Sequence, residues 1–168
     1  QQGSTLSSQG AAITSLTGQL TYGSNLVPNP QMQNNAAGWS AVSSGIDSVR
    51  SYVQSNSAYA PSSAYFAVIE GQVLVVTADL WINVSTPIMI RFRFDGPNLS
   101  NNAFAVFVEN SPVINTWFQG VGKATVPSGA TSAQIQIYHG SGNARLSNPL
   151  VYVQTASADA LQSLGNKV

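Results

Sequence analysis

Val73-Leu74-Val75-Val76-Thr77-Ala78-Asp79-Leu80-Trp81-Ile82-Asn83-Val84 alternates along its whole length. Leu74, Val76, Ala78, Leu80 and Ile82 fall on one side, and Val75, Thr77, Asp79 and Trp81 on the other. Successive side chains of a strand point to opposite faces, so this period of two predicts a strand with one face in a core. The next segment repeats the pattern. Ile88, Ile90, Phe92 and Phe94 face inward, leaving Arg91 and Arg93 outside. Further on, Ala133, Ile135 and Ile137 face in, and Gln134, Gln136 and Tyr138 face out.

Shorter strands are predicted around these, over 48–52, 64–68, 103–109, 114–118, 123–126 and 150–154. Asp95-Gly96-Pro97, Pro127-Ser128-Gly129 and Gly140-Ser141-Gly142-Asn143 punctuate them as turns. Many short strands with regular turn signals predict an antiparallel β-sandwich. Asn25-Leu26-Val27-Pro28-Asn29-Pro30 belongs at an edge, because two prolines do not fit inside a central strand.

The two ends read differently. Leu6, Ile13 and Leu20 lie seven apart with Leu16 on the same face, and Leu161, Leu164 and Val168 repeat the three-then-four spacing. Such a seam needs partner helices to cover it. The expected organisation is a coiled-coil helix over 1–22, a sandwich over 23–155 and a second coiled-coil helix over 156–168. The sequence begins Gln1-Gln2-Gly3 and stops on a seam position, which reads as a segment of a longer polypeptide.

Composition narrows the function classes. Only 7% of residues are charged, against about 25% in ordinary domains. Six basic residues balance six acidic ones, which gives no electrostatic footprint for nucleic acid or an anionic membrane. No apolar run approaches the roughly 18 residues of a membrane span. With no cysteine, disulfides, thiol catalysis and cysteine-based zinc sites are excluded together. A neutral surface of Ser, Thr, Asn, Gln and Gly suits secreted adhesins, viral fibres and carbohydrate binders.

The order of the motifs carries a resemblance. Asn25-Leu26-Val27-Pro28-Asn29-Pro30 followed by Gly38-Trp39 resembles the opening of jelly-roll carbohydrate-binding modules of the family 4/9 type. Glu70-Gly71-Gln72 with the strand after it, the turn Val126-Pro127-Ser128-Gly129-Ala130-Thr131-Ser132-Ala133, and the closing Asn148-Pro149-Leu150-Val151-Tyr152-Val153 are similar to later motifs of the same modules. The resemblance implies a jelly roll with Trp39 against its core. Jelly rolls between Ala/Ser/Gln-rich helical segments also resemble parts of bacteriophage tail fibre and host-specificity proteins. That likeness implies a homotrimer held by the flanking helices, neighbouring fibre segments, an extracellular place on the virion tail fibre, and host surface polysaccharide as a partner. The alternative is the carbohydrate-binding module of a secreted glycoside hydrolase, monomeric and without heptads. Related modules often hold a structural calcium through acidic residues. Here the matching neighbourhoods offer Gln33 and Asn148, so neither metal nor cofactor is expected.

Catalysis is not expected. Asp47, Glu70, Asp79, Asp95, Glu109 and Asp159 are scattered, while a glycosidase needs two facing carboxylates. His139 is the single histidine and has no partner marked by any motif; an exposed or simply hydrogen-bonded ring is the plainer reading. A binding face is the better candidate. If the three alternating strands share a sheet, its outer surface carries Asp79, Trp81, Arg91, Arg93, Gln136 and Tyr138. Flat aromatic rings and planar polar groups suit sugars. The competing reading packs Trp81 and Tyr138 at a subunit interface and pairs the arginines with Asp79 or Glu109.

Overall fold

In a computed structural model, residues 25–40 and 43–154 are described. The two heptad segments expected to be helices lie outside them. Among the described residues, nine strands form two antiparallel sheets: β1 (Ser43–Asp47), β2 (Arg50–Ser55), β3 (Phe66–Ala67), β4 (Val73–Ile82), β5 (Ile88–Gly96), β6 (Leu99–Glu109), β7 (Phe118–Thr125), β8 (Ser132–His139) and β9 (Ala144–Val153). One sheet has the order β1-β2-β9-β4-β7 and the other β3-β8-β5-β6. Only β1–β2 and β5–β6 are neighbours in both sequence and space; every other connection changes sheet, as in a jelly roll.

The alternation of β4, β5 and β8 places the core. Leu74, Val76, Ala78, Leu80 and Ile82 from one sheet meet Ile88, Ile90, Phe92, Phe94, Ile135 and Ile137 from the other, with Val53, Leu146 and Val151 beside them. All are buried. Removing this apolar area from water, at roughly 25 cal/mol per Å², is the main force that closes the two sheets. Trp39 joins the same core and donates its indole N–H to the Asn29 carbonyl at 2.9 Å, as the resemblance implied.

The opening motif has a mechanical role. The Asn25 side-chain oxygen accepts from Val27 N–H at 3.1 Å and Val151 N–H at 3.0 Å, and its amide donates to the Pro149 carbonyl at 2.6 Å. One asparagine thus fastens the entering chain to β9 where Pro149 has no N–H to offer. Opposite Asn148 and Pro149, β4 shifts register between Thr77 and Asp79, so the proline sits at an irregularity and not in a regular ladder. Asn29 likewise ties down the turn 33–36, accepting from Gln33 N–H and donating to the Gln33 and Ala37 carbonyls.

Three strand expectations change. Segments 114–118 and 123–126 are not two strands; β7 runs through Gly120 and Gly122. Those glycines let β7 lie close on β6. A Cβ at Gly122 would sit 2.2 Å from the Val106 carbonyl oxygen, and one at Gly120 2.8 Å from Ile90 Cδ1. A polar edge strand, β1, precedes β2 as a hairpin, and β9 begins at Ala144 immediately after its turn.

Candidate functional site

The six residues expected on one surface divide between two. β4 belongs to the five-stranded sheet, whereas β5 and β8 belong to the four-stranded sheet. Asp79 and Trp81 therefore lie on one outside of the sandwich. Arg91, Arg93, Gln136 and Tyr138 lie together on the opposite outside.

On the five-stranded face, side chains engage one another. The Arg145 guanidinium lies 3.9 Å from the Trp81 ring centre and 4.4 Å from that of Tyr52, and its Nε–H donates to Gln54 Oε1 at 2.7 Å. Strand pairing causes this, because Arg145 is opposite both Trp81 and Gln54. Arg50 lies 4.6 Å from the Trp117 ring centre, and its Nε faces Asp79 Oδ2 at 3.3 Å. That contact is an ion pair without hydrogen-bond alignment. Asp79 also accepts from the Asn148 amide at 2.9 Å, and Asp47 accepts from the Trp117 indole N–H at 2.7 Å. Tyr52 finds room because Gly45 is opposite it; a Cβ there would fall 2.6 Å from the phenol oxygen. The partner of Asp79 is thus Arg50, not Arg91 or Arg93. Asn148, a position considered for calcium, donates its side-chain N–H to Asp79.

The four-stranded face is different. Register places Arg91 beside Gln136, Arg93 beside Gln134, and Met89 beside Tyr138. The Arg91 guanidinium is 5.3 Å from the Tyr59 ring centre and 5.8 Å from that of Tyr138, and the two rings are 5.2 Å apart. Tyr59, Arg91, Arg93 and Gln136 line an open depression of about 350 Å³. Gln134 donates to the Ser63 carbonyl at 2.6 Å. Gln136 is only 5% exposed, yet its Oε1 has no hydrogen-bond partner; Arg91 Nε, also buried, has none. Buried polar atoms are nearly always satisfied, and these two exceptions face each other across one strand pair in the same depression, with Arg50 Nε on the other face as a third.

Tyr59 was not among the expected residues. It lies in the connection between β2 and β3, where strand periodicity says nothing. Its loop is held from beneath by backbone bonds, His139 N–H to the Ala58 carbonyl at 3.0 Å and Ile137 N–H to the Pro61 carbonyl at 2.9 Å. His139 itself is fully buried, not exposed, with its ring nitrogens 3.1 Å from the Ala60 and Ser141 carbonyl oxygens. It is a support for the Tyr59 loop.

The remaining carboxylates of the described residues each accept a backbone N–H. Glu70 accepts from Gly129 N–H, Asp95 from Gly96 N–H and Glu109 from Ser111 N–H. Among the described residues no cluster of three metal-ligating side chains occurs, and no helix is long and apolar enough to cross a membrane.

No family model matches the chain, and no curated protein matches it. Solved structures share its fold. The CBM22-1 xylan-binding domain from Paenibacillus barcinonensis Xyn10C is 10% identical with a TM-score of 0.58, covering 79% of this chain and 96% of that one. The enzymatically active domain of bacteriophage CBA120 tailspike protein 4 is 18% identical with a TM-score of 0.56, covering 77% of this chain and 21% of that one. The CBM22-1 and GH10 modules of Clostridium thermocellum xylanase 10B, complexed with xylohexaose, give 14% identity and a TM-score of 0.51 over 64% of this chain and 22% of that one. The match thus spans about a fifth of the length of each of those last two solved chains. At these identities the likeness is one of fold: a β-sandwich shared with carbohydrate-binding modules.

Proposed function

We propose that this chain is a non-catalytic carbohydrate-binding module that takes a polysaccharide on the outer face of its four-stranded sheet. The observation that carries the proposal is the depression between Tyr59, Arg91 and Gln136, where Arg91 Nε and Gln136 Oε1 lack partners. A phenol ring offers apolar contact to the flat side of a sugar, and the planar guanidinium and amide suit its hydroxyls. The fold shared with a xylan-binding domain supports the class of ligand. A role in binding rather than hydrolysis fits carboxylates that are individually engaged by their own neighbours. Arg91, Arg93, Gln136 and Tyr138 are kept as ligand residues and Tyr59 is added. Asp79 and Trp81 are assigned to the self-paired face instead.

The test is adsorption to insoluble and soluble polysaccharides by wild type, Tyr59→Ala and Trp81→Ala, each confirmed folded. Loss of about tenfold or more in affinity is expected for Tyr59→Ala, corresponding to about 1.4 kcal/mol. Trp81→Ala is expected to bind as wild type. The reverse result would move the site to the five-stranded face.

A second reading concerns where the module works. The terminal heptads and the fold shared with a phage tailspike domain favour a trimeric tail-fibre segment on a virion; the carbohydrate-binding-module neighbours favour a module of a secreted, extracellular enzyme at least as well. Light scattering separates the two, since a trimer fits the fibre and a monomer the secreted module. Either setting uses the same binding face.

A further inference from the structure

We infer that the ligand of the four-stranded face is acidic: a sugar bearing a carboxylate, which Arg91 receives. The inference rests on the proposed glycan site and narrows its chemistry. Arg91 is a cation with no carboxylate of the described residues in an ion pair with it. It lies against the rings of Tyr59 and Tyr138, and a ring face is only a weak acceptor for an N–H donor. The negative groups of the described residues are engaged elsewhere. Asp79 faces Arg50, Asp47 holds the Trp117 indole, and Glu70 and Glu109 hold backbone N–H groups. Asp95, on the same strand as Arg91, holds Gly96 N–H at 2.8 Å. Arg93 lines the same depression.

A neutral sugar would satisfy the donors of Arg91 without balancing its charge. A carboxylate does both, because two parallel N–H donors match its two oxygens. The half-buried setting screens that attraction less than open water does. Gln136, directly across the strand pair from Arg91, presents its unpartnered Oε1 beside that contact, where a sugar hydroxyl is the natural donor. The arrangement therefore joins one anion receiver, one hydroxyl acceptor and one exposed ring platform, Tyr59, at 54% exposure.

The test uses the whole chain and a panel of oligosaccharides in which each uronic-acid member is paired with its carboxyl-reduced neutral form, with sulfated members included. Wild type is expected to bind at least one uronate about tenfold or more tighter than its reduced partner, with the preference shrinking as salt rises. Arg91→Gln, confirmed folded by its melting curve, is expected to lose the preference while retaining the weaker neutral binding. Arg91→Lys is expected to retain part of the preference, since it keeps the charge but not the fork. Equal or tighter binding of the neutral forms overturns the inference and leaves the glycan site standing. Preference for sulfated over uronate members overturns the assignment of a carboxylate. Failure to bind any member of the panel overturns both the inference and the reading on which it rests.

Discussion

The two outer faces of the sandwich use the same side-chain types, arginine against tyrosine or tryptophan, but differ in what is left over. On the five-stranded face Arg145 has Trp81, Tyr52 and Gln54, and Arg50 has Asp79 and Trp117. On the four-stranded face Arg91 has two rings and no carboxylate of the described residues in an ion pair with it, and Gln136 keeps a buried oxygen unpartnered; Nε lacks a hydrogen bond at Arg50 and Arg91 alike. Aromatic residues beside arginines do not by themselves mark a binding surface. The difference on which the proposed site rests is that Asp79 answers the charge of Arg50, whereas no carboxylate of the described residues answers that of Arg91.

The comparison breaks most visibly at Arg145. Arg145→Ala removes a cation held between two rings and the packing of its own stem. A loss of about 2–3 kcal/mol is expected from two cation–π contacts and the buried methylenes. Chemical denaturation measures it, and glycan affinity is expected to stay unchanged. A stability within about 0.5 kcal/mol of wild type would place this cluster with ordinary surface residues.

A smaller effect of the opposite kind is expected at Gln136. Gln136→Leu replaces a buried, unpartnered acceptor by an apolar group of similar volume. Stability is expected within about 1 kcal/mol of wild type and on the stabilising side, because no hydrogen bond of Oε1 is lost and its desolvation is relieved. Affinity for the glycan is expected to fall by about tenfold, the weight of one hydrogen bond at about 1.4 kcal/mol. Clear destabilisation with unchanged binding would make Gln136 a structural residue and erase the contrast between the faces.

Much of the scaffold was legible in the sequence. Leu74 to Ile82 and Ile88 to Phe94 alternate because each strand has one face in the core, and the structure buries those residues. The opening asparagines were legible as a motif, and their side-chain bonds explain why asparagine stands there. Alternation tells which side of a strand is inward but not which sheet the strand joins. That depends on pairing between distant segments, such as Trp81 with Arg145 and Arg91 with Gln136. Joining Asp79 and Trp81 to Arg91 and Gln136 was therefore a pairing error, not an error of periodicity. β7 was divided between strands expected over 114–118 and 123–126, and the glycines in the gap, Gly120 and Gly122, have no side chain to show a period, although their small size serves the close approach of β6. Tyr59 was hidden because a loop has no period; its place is set by bonds to β8.

The central claim is that ligand meets the four-stranded face and spares the other. The chain has three tryptophans, and none lies on the proposed site: Trp81 and Trp117 belong to the five-stranded face and Trp39 to the core. Titration of the isotope-labelled protein with a bound oligosaccharide, followed by amide and indole N–H resonances, tests this directly. The account predicts that the amides of Tyr59, Arg91, Arg93, Gln136 and Tyr138 shift while the Trp81 and Trp117 indole signals stay in place. Movement of those indole signals with a silent Arg91 and Gln136 would contradict it.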